Sequence, residues 1–504
     1  MGGSMKLLVA NRGEIAVRVI RAAREMGIPT VAVASDADLH AMHALLADEV
    51  VHLGAPEPSA SYLDIDKIIS AATTTGATMI HPGYGFLSER AEFAEACEAA
   101  GITFIGPSPS AMRKLGAKID AKQLAVENDV PITPGFFEPG ASLNQLKIAA
   151  NQIGFPVMLK ASAGGGGRGM RVVRDPSEFD SACRLAQEEA LKAFGDDAMM
   201  VEKLIEKPRH IEVQVLADKH GQITCLFERE CSLQRRHQKV VEEAPSPVMT
   251  DDLWQKMRES ATRLIAAAGY YGAGTVEFMV DDATGAFYFL EVNARLQVEH
   301  PVTEAITGVD LVQAQIHIAL GHKLELPAAI MAGDRSAIQG HAIELRVVAE
   351  DPAHGFLPSV GKLLAMHAPV GPGLRFDTGF AGGDEISRFY DSLIAKLIVH
   401  APTRAAAINR LDSALRETHI LGVKTNISYA RDLIAHPDFA TAAFDTGFLG
   451  REFGDWKPRA EVPEELGAIL AATSLSAASV GTSPGITAER SPAWAQSDGF
   501  RNAR

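Results

Sequence analysis

The sequence predicts a mixed protein of α/β and α+β domains, and three regions of the chain carry that prediction. From residue 5 to about 118, apolar strand-like runs alternate with amphipathic helices, which is the rhythm of a doubly wound α/β domain. Longer strands and hairpins surround a glycine run between about 119 and 335, and strands and helices are mixed from about 336 to 450. A chain of 504 residues is long enough for several domains with buried cores.

The last region of the chain differs in composition from the rest. Residues 457–504 are rich in alanine, serine, glycine and proline and show little periodicity. Such a segment has too little apolar surface to bury against a core, so we expect it to be a disordered tail.

Composition and charge exclude several classes of function. The chain has 48 Lys and Arg against 63 Asp and Glu, a net charge of −15, which argues against nucleic-acid binding. No apolar run approaches the roughly 18 residues of a membrane span, and no cationic start leads into an apolar stretch. The four scattered cysteines predict neither a disulfide framework nor a zinc site. We therefore expect no nucleic acid and no membrane as partners, and a reduced location, either cytoplasmic or in an organelle matrix.

The N-terminal region gives the clearest prediction of individual elements. Lys6–Ala10 and Thr30–Ala34 are apolar and predict strands, and the apolar residues between Ile15 and Met26 fall at helical spacing. A further unit runs through Ile65–Gly76 to a strand at Met79–His81. This succession of strand, helix and strand predicts a parallel sheet covered by helices.

A glycine run between two predicted strands is the first sign of chemistry. Gly164–Gly167 lacks side chains, so its backbone N–H groups could surround phosphate oxygens closely. The run has no Gly-Lys-Ser/Thr, and Arg168-Gly169 leads into a β-branched strand instead of a helix, so it is not a P-loop. A glycine loop that follows a strand carrying Lys160 is typical of the lid of the ATP-grasp fold, which we place at about 132–204. A ligand-free hairpin tip explains the glycines alone equally well.

Two later strands, Gly274–Val280 and Phe287–Arg295, form a predicted hairpin. Period-two alternation gives each strand an apolar face, made of Val276, Phe278 and Val280 on the first and Tyr288, Leu290 and Val292 on the second. If these faces coincide, Glu277 and Glu291 share the opposite face, directly across or one diagonal apart. Facing carboxylates repel unless a cation lies between them, and hard oxygen ligands favour Mg²⁺ or Mn²⁺. The alternative is a solvated hairpin face.

The second strand continues into a series of alternating polar residues. They are Glu291, Asn293, Arg295, Gln297 and Glu299. An ordinary half-exposed strand seldom presents five such groups to one side, so the pattern favours an active-site strand.

Four stretches of the chain together resemble the biotin carboxylase family. They are Ala10–Ala16 (ANRGEIA), His81–Glu89 (HPGYGFLSE), Glu230–Glu243 (ECSLQRRHQKVVEE) and Glu291–Glu304 (EVNARLQVEHPVTE). The resemblance extends from about residue 5 to 450 in the family's order and spacing. Pro301 and the stretch Gly382–Lys396 look more like acyl-CoA carboxylases than pyruvate carboxylase. The implied fold is an ATP-grasp fold with an N-terminal doubly wound domain, a glycine-rich lid subdomain and a mixed C-terminal domain.

The resemblance also implies an activity and its partners. It implies an ATP-dependent ligase that carboxylates biotin with bicarbonate through carboxyphosphate, the first half-reaction of an acetyl-, propionyl- or methylcrotonyl-CoA carboxylase. The implied cofactors are ATP and Mg²⁺ or Mn²⁺, and biotin enters as a carrier-bound substrate. The implied partners are a biotin carboxyl carrier domain or protein, a carboxyltransferase subunit, and further copies in a homodimer or larger complex. The sequence contains no Met-Lys-Met, the usual context of a biotin-bearing lysine.

The resemblance assigns roles to positions that match the family's motifs. The implied catalytic residues are Glu299 as general base, Arg295 and Lys239 beside it, and Arg346 to stabilise the biotin enolate. The implied substrate contacts are Gln297 and the Val298 backbone for bicarbonate and Tyr84 for biotin. The implied nucleotide contacts are Lys118, Lys160, Gly165, Gly166, Gly167, Glu202, Leu204, His210, Gln234 and His237. The implied metal ligands are Glu277, Glu291 and Asn293.

Plainer interpretations remain open for single residues and for the whole chain. Lys239 could belong to a solvated basic turn with Arg235 and Arg236, and His210 could be a structural strand histidine. Arg346 could simply pair with Glu344 or Glu350. At the level of function, the alternatives are another ATP-grasp ligase that joins a carboxylate to an amine and a catalytically silent nucleotide-binding subunit.

Overall fold

The computed structural model describes residues 5–138, 140–162 and 169–458. The described residues up to Trp456 group into one compact unit. The tail from residue 459 onward, which we expect to be disordered, lies outside the described residues. The predicted nucleotide contacts Gly165, Gly166 and Gly167 lie outside them as well. None of the helices in the described ranges combines the length and the apolar character that crossing a bilayer requires.

The α-helices and β-strands follow one another along the whole described chain. The helices are α1 (Gly13–Glu25), α2 (Met42–Leu46), α3 (Ile65–Thr75), α4 (Ala91–Ala99), α5 (Pro109–Gly116), α6 (Lys118–Glu127), α7 (Leu143–Ile153), α8 (Phe179–Phe194), α9 (Asp251–Ala268), α10 (His300–Thr307), α11 (Leu311–Ala319), α12 (Ala328–Ala332), α13 (Arg404–Glu417), α14 (Ile427–Ile434), α15 (Pro437–Ala440) and α16 (Phe448–Glu452). The strands are β1 (Leu7–Val9), β2 (Thr30–Ser35), β3 (Glu49–Gly54), β4 (Met79–His81), β5 (Thr103–Phe104), β6 (Gly135–Phe136), β7 (Val157–Ala161), β8 (Met170–Val173), β9 (Met199–Lys203), β10 (Pro208–Ala217), β11 (Ile223–Arg235), β12 (Gln238–Ala244), β13 (Gly272–Asp281), β14 (Phe287–Asn293), β15 (His341–Val348), β16 (Glu350–Asp351), β17 (Leu357–Pro358), β18 (Gly361–Lys362), β19 (Ala365–His367), β20 (Leu374–Thr378), β21 (Glu385–Ile386), β22 (Leu393–Ala401) and β23 (His419–Leu421).

The N-terminal region forms a five-stranded parallel sheet in the order β3-β2-β1-β4-β5. Successive residues of β1 enter different cores, because Leu8 packs with Ile68 of α3 while Leu7 packs with Ile15 and Val19 of α1. Both faces of the sheet are thus covered by helices, which is why β1, β2 and β4 are buried along their whole length, whereas the edge strand β3 is largely exposed.

A four-stranded antiparallel sheet in the order β6-β9-β7-β8 forms the lid region. The helices α7 and α8 pack on it through a separate core that includes Leu146, Leu159, Phe179 and Val201. Because this core is distinct from the other cores, the sheet is a locally independent element, and it carries Lys160 on β7.

The centre of the molecule is an eight-stranded sheet in the order β14-β13-β10-β11-β12-β15-β22-β20. Val241 of β12 pairs with Leu345 of β15 in the antiparallel ladder, so hydrogen bonding continues across the boundary predicted at residues 335 and 336. One sheet therefore brings residues from two sequence regions onto a common face.

The β13–β14 hairpin has the predicted carboxylate register but a different apolar face. Glu277 lies directly across from Glu291, as one of the two predicted arrangements requires. A β-bulge next to this pair makes Leu290 an extra residue, so Phe289 faces Phe278. Phe287 and Phe289 fill the core, and the assignment of Tyr288 and Leu290 to the apolar face was wrong, because the bulge shifts the alternation by one residue.

Candidate active site

A cavity of about 980 Å³ collects the predicted site residues that the structure describes. The central sheet, the lid sheet, the start of α6 and the loop after β4 all contribute to its walls. The predicted residues that line it are Tyr84, Lys118, Lys160, Glu202, Leu204, His210, Gln234, His237, Lys239, Glu277, Glu291, Asn293, Arg295, Gln297, Val298, Glu299 and Arg346. Predicted residues that lie far apart in the sequence, from Tyr84 to Arg346, therefore share one site.

Lys239 lies at the centre of the cavity floor among three carboxylates. Its Nζ lies 2.7 Å from Glu299 Oε1 and 3.4 Å from Glu277 Oε1, and it also bonds Glu212. Burial lowers the pKa of Lys239, but the three glutamates outweigh burial and raise it well above its ordinary value. Lys239 is therefore a fixed positive charge, and its placement in a solvated basic turn was wrong, because the strand β12 turns it inward.

Glu299 is held between two cations. Arg346 Nη2 lies 2.9 Å from the Glu299 oxygen that does not contact Lys239, while Arg346 Nε bonds Glu242 at 2.6 Å. Burial opposes ionisation of Glu299, but Lys239 and then Arg346 lower its pKa below the ordinary value despite the opposing charge of Glu212. Arg346 thus pairs with Glu242 and Glu299 and not, as one interpretation held, with Glu344 or Glu350.

The facing carboxylates Glu277 and Glu291 differ in their surroundings. Glu277 accepts hydrogen bonds from Asn293 Nδ2 at 2.7 Å, Gln297 Nε2 at 2.9 Å and His210 Nε2 at 2.9 Å. Burial opposes the charge of Glu277, yet Lys239 and His210 hold its pKa well below the usual range. Burial and the charge of Glu277 raise the pKa of Glu291, whose carboxylate bonds no residue in the described part of the chain. Lys118 and His210 act on Glu291 only from a distance, without an ion pair among the described residues, so the donor set of the two facing carboxylates fits a hard divalent ion.

Another part of the cavity wall contains a buried group of two lysines and one glutamate. Glu202 of β9 lies 2.5 Å from Lys160 Nζ through one oxygen and 2.5 Å from Lys122 Nζ through the other. Burial disfavours its charge, but the two ammonium groups outweigh burial and lower the pKa of Glu202 to about 2. Lys118 begins α6 on the same side of the cavity. This part of the wall is cationic and suits an anionic ligand such as a phosphate chain.

The turn between β11 and β12 brings two more predicted residues to the cavity. Arg236 and His237 have positive φ angles of 48° and 66°, so the chain reverses sharply there. Burial and the neighbouring Lys160 lower the pKa of His237, which favours the neutral imidazole. Gln234 lies on β11 with its Nε2 3.5 Å from His210 Nδ1. His210 is thus held between Gln234 and Glu277 inside the site, and both its structural and its nucleotide-binding interpretation stay open.

Arg295 and Tyr84 are held by hydrogen-bond partners from the N-terminal region and from the end of β14. Arg295 Nε donates to Glu89 at 2.9 Å and its Nη2 donates to Asn293 at 2.8 Å. The Tyr84 hydroxyl donates to Glu14. The N-terminal region therefore forms one wall of the site and sets the position of these two side chains.

Comparison with known proteins gives three matched regions, similar to the three regions that the sequence predicts. Residues 4–112 match the model of the "Biotin carboxylase, N-terminal domain", residues 117–327 that of the "Carbamoyl-phosphate synthase L chain, ATP binding domain", and residues 344–451 that of the "Biotin carboxylase C-terminal domain". A protein named biotin carboxylase from Nostoc is 50% identical over 88% of this chain and 98% of its own length. The chain belongs to the biotin carboxylase family.

Two further relatives show how the family varies. The mitochondrial methylcrotonoyl-CoA carboxylase subunit alpha of Oryza sativa is 48% identical over 93% of this chain, but the chain spans only 64% of that subunit's length. The biotin carboxylase domain dimer of the Hydrogenobacter thermophilus 2-oxoglutarate carboxylase, solved with MgADP, ADP and bicarbonate, superimposes with a TM-score of 0.85. It is 44% identical and covers 90% of this chain and 99% of that chain.

Family membership confirms the predicted resemblance, the ATP-grasp fold class and the enzyme class, an ATP-dependent ligase. The roles of individual site residues and the domain boundaries at 118, 335 and 450 stay predictions. The same holds for the cytoplasmic location and for the absence of nucleic acid among the partners.

Sequence reasoning missed several charged residues that hold the biotin carboxylase site together. Arg229, which is fully buried on β11, donates to Glu212, Gln297 and Thr275. Lys122 contacts Glu202. Lys122 could have been found, because it lies four residues after Lys118 and so on the same face of α6. No sequence pattern predicts Arg229 and Glu212 as site residues, since their hydrogen-bond partners become neighbours only when the strands pair.

Proposed function

We propose that this chain carboxylates biotin with bicarbonate at the expense of ATP, as the first half-reaction of an acyl-CoA carboxylase. The observation that carries the proposal is Glu299, ionised between Lys239 and Arg346, in a cavity that also contains the lysines at Glu202 and the Glu277–Glu291 pair. A base, anion-binding cations and a divalent-metal donor set thus lie within one enclosure.

ATP is expected to bind with its base near Leu204 and Glu202 and its phosphates toward Lys118, Lys160 and His237. The phosphates compete with Glu202 for the ammonium group of Lys160. Lys160 therefore weakens its ion pair with Glu202 and contacts the phosphates when ATP binds. Glu277, Glu291 and Asn293 would hold the Mg²⁺ or Mn²⁺. A divalent ion there supplies positive charge that offsets the charge developing on the phosphoryl oxygens.

Bicarbonate is a weak nucleophile, so it must lose its proton as one of its oxygens bonds the γ-phosphorus and the bond to ADP breaks. Lys239 and Arg295 supply the cations that hold the anion, with Gln297 beside them. An anion bound to Lys239 loosens that cation from Glu299 and strengthens the carboxylate as a base. The general-base role of Glu299 therefore fits the ion pairs in which it participates.

The carboxyphosphate formed in this step breaks down to CO₂ and phosphate. The phosphate takes the ureido proton of biotin, and the ring nitrogen then bonds CO₂. Negative charge develops on the ureido oxygen during this step, and Arg346 is the cation placed to stabilise it. Tyr84, on the same wall as Glu14, is proposed to flank the biotin ring.

The proposed partners follow from the same half-reaction. Biotin is proposed to arrive on a carrier domain or protein, and a carboxyltransferase subunit is proposed to use the carboxybiotin. We also propose that the chain forms a homodimer, supported by the dimer of the Hydrogenobacter domain. The other two functions are weaker candidates, since a silent subunit does not need the ion pairs around Glu299.

The test is an assay with purified chain, ATP, Mg²⁺ and bicarbonate, in which ADP release is measured with and without free biotin. The expected result is bicarbonate-dependent ADP release that biotin accelerates, together with labelled carbon from bicarbonate in carboxybiotin. A rate of ADP release that depends on an amine acceptor and does not change with biotin would support the carboxylate–amine ligase. ATP binding with no turnover under any of these conditions would support the silent subunit.

A further inference from the structure

Lys396 is a fully buried lysine that the proposed chemistry does not use directly. It lies on β22 with its side chain wholly excluded from solvent. Its Nζ donates to the backbone carbonyl of Val298 at 2.9 Å and lies 3.3 Å from Glu14 Oε2. A buried ammonium needs such partners because removing it from water is costly.

The carbonyl that Lys396 binds belongs to the peptide that joins Val298 to Glu299. That peptide leads directly into α10, with Glu299 at the N-cap position. In a planar trans peptide the C=O and N–H groups point in opposite directions. By holding the carbonyl on one side, Lys396 turns the N–H of Glu299 to the other side and fixes the direction in which the Glu299 side chain leaves the backbone.

The preceding peptide is held in the same way. His300 Nδ1 bonds the carbonyl of Gln297 at 2.8 Å. The N–H of Val298 therefore also points away from these buried side chains, and neither it nor the N–H of Glu299 has a hydrogen-bond partner in the residues that the structure describes. The two amides remain available to an anion on the cavity side.

The strand register connects Lys396 to the other cation on Glu299. Lys396 lies directly across from Arg346 in the ladder between β15 and β22. Cross-strand partners project from the same face of a sheet, so the pair reaches Glu299 from one side. Arg346 bonds its carboxylate while Lys396 bonds its backbone.

Glu14 supplies the counter-charge from a different part of the molecule. It lies in the first turn of α1 and contacts both Lys396 and the Tyr84 hydroxyl. The N-terminal region and the C-terminal strand β22 thus meet at the peptide that carries Glu299.

We propose that Lys396, held by Glu14, is a positioning residue that fixes the Val298–Glu299 peptide and so aligns both the general base and the amides that face bicarbonate. This inference rests on the proposed function. A misplacement of about 1 Å at a reacting group lowers a rate by about 100-fold, which sets the expected size of the effect.

The test compares Lys396→Met with the double variant Lys396→Met/Glu14→Gln at a pH above 7, where Glu14 is ionised in the folded chain. The single variant leaves Glu14 without its cation, so a lower melting temperature is expected. The double variant removes both charges, so its melting temperature should recover toward that of the wild type. If Lys396 positions Glu299, kcat for biotin-dependent ADP release stays about 100-fold low in both variants, while the KM and Kd for ATP do not change. Recovery of kcat together with the melting temperature would show that the lysine only stabilises the fold, and would overturn the inference.

Two controls make the result specific. Lys67→Met removes another lysine that donates to backbone carbonyls, those of Leu53 and Ala60, but that lies outside the cavity, so its kcat should equal the wild-type value. Should Lys396→Met fail to fold, the double variant alone decides, since wild-type kcat in it would overturn the inference. If the wild type itself shows no biotin-dependent turnover, it is the proposed function that fails.

Discussion

At the scale of single residues, the site depends on how Glu299 shares two cations with other carboxylates. Glu299→Gln keeps the size of the side chain but removes the base, while Lys239 retains Glu212 and Glu277 and Arg346 retains Glu242. We expect kcat for biotin carboxylation to fall by about two to four orders of magnitude. The Kd for ATP, measured by calorimetry, should not change.

A matched control for this substitution lies on β12. Glu243 is also buried and pairs with His341 and Arg404, but it does not line the cavity. Glu243→Gln should lower the melting temperature and leave kcat unchanged. A loss of ATP affinity in Glu299→Gln would mean that Glu299 contacts the nucleotide and is not the base.

The two facing carboxylates should respond differently to neutralisation. Glu291→Gln relieves repulsion from Glu277 and breaks no contact with a described residue, so the melting temperature without metal should rise. Glu277→Gln deprives His210 and Lys239 of a partner, so the metal-free melting temperature should fall. Both variants should need more Mg²⁺ for half-maximal activity. Unchanged activity at limiting Mg²⁺ in both would contradict a metal site on this hairpin.

Glu14 gives a pH dependence of stability whose sign follows from its burial. Burial raises the pKa of Glu14 from 4.5 to about 7, although Lys396 opposes the shift. Between these pH values the folded chain keeps a proton that the unfolded chain releases, so the free energy of unfolding decreases as the pH rises. At about 1.4 kcal/mol per pKa unit, the wild type should lose up to about 3 kcal/mol relative to Glu14→Gln across this window.

The measurement is chemical denaturation of both proteins at several pH values from 4.5 to 7.5. The stability difference between wild type and Glu14→Gln should change in the stated direction and level off above the folded-state pKa. Parallel pH profiles for the two proteins would show that Glu14 does not hold a proton in the folded state.

Residues of the site differ in how far the sequence could predict them. Glu277 and Glu291 were accessible, because period-two alternation on two short strands with a tight connection determines which side chains share a face. Glu212 and Lys396 were not, because their strands are buried on both faces and alternation carries no information there. Glu212 enters the site only because β10 pairs with β13 so that it lies across from Glu277.

At the scale of elements, the same limits apply to the predicted fold. The parallel strands β1, β2 and β4 were predictable, since their apolar runs alternate with helical spacing. The strands β3 and β5 were not predicted, because β3 is largely exposed and partly polar and β5 has only two residues. The bulge in β14 was not, because one extra residue in a strand has no fixed signature in the sequence. It moves Phe287 and Phe289 into the core while leaving Glu277 and Glu291 opposite each other.

The lid sheet β6-β9-β7-β8 is the element expected to respond to nucleotide. Its core is separate from the others, and Lys160 of β7 and Glu202 of β9 line the cavity. ATP that engages Lys160 ties this sheet to the central sheet, so local opening should become rarer. We expect ATP to slow hydrogen exchange in β7, β8 and β9. As an internal control, exchange in the N-terminal parallel sheet should not change. Exchange in the lid sheet that is indifferent to ATP would contradict this coupling.

At the scale of the whole molecule, we expect this chain to catalyse the carboxylation of biotin and a partner subunit to catalyse carboxyl transfer to the acyl-CoA. Under the proposed function, residues of one cavity bind ATP, metal, bicarbonate and biotin, which are the components of the first half-reaction. Transfer of the carboxyl group to an acyl-CoA needs a second site that binds coenzyme A and removes a proton from the acyl carbon. The proposed function places that site on a carboxyltransferase subunit. The printed sequence contains no Met-Lys-Met, and the proposed function supplies biotin on a carrier.

We therefore expect the 504-residue chain to carboxylate free biotin, or a separately supplied biotinylated carrier, and no acyl-CoA. The measurement is incubation with ATP, Mg²⁺ and labelled bicarbonate, followed by separation of carboxybiotin from acetyl-, propionyl- and methylcrotonyl-CoA products. Label should appear in carboxybiotin alone until a carrier and a carboxyltransferase are added, and the Glu299→Gln variant should form carboxybiotin at least about 100-fold more slowly than the wild type. Under the proposed function the cations and carboxylates of the cavity activate bicarbonate, and the carboxyltransferase subunit binds the acyl-CoA. Label in any acyl-CoA without added proteins would contradict the assignment of carboxyl transfer to a partner subunit and would require a second site on this chain.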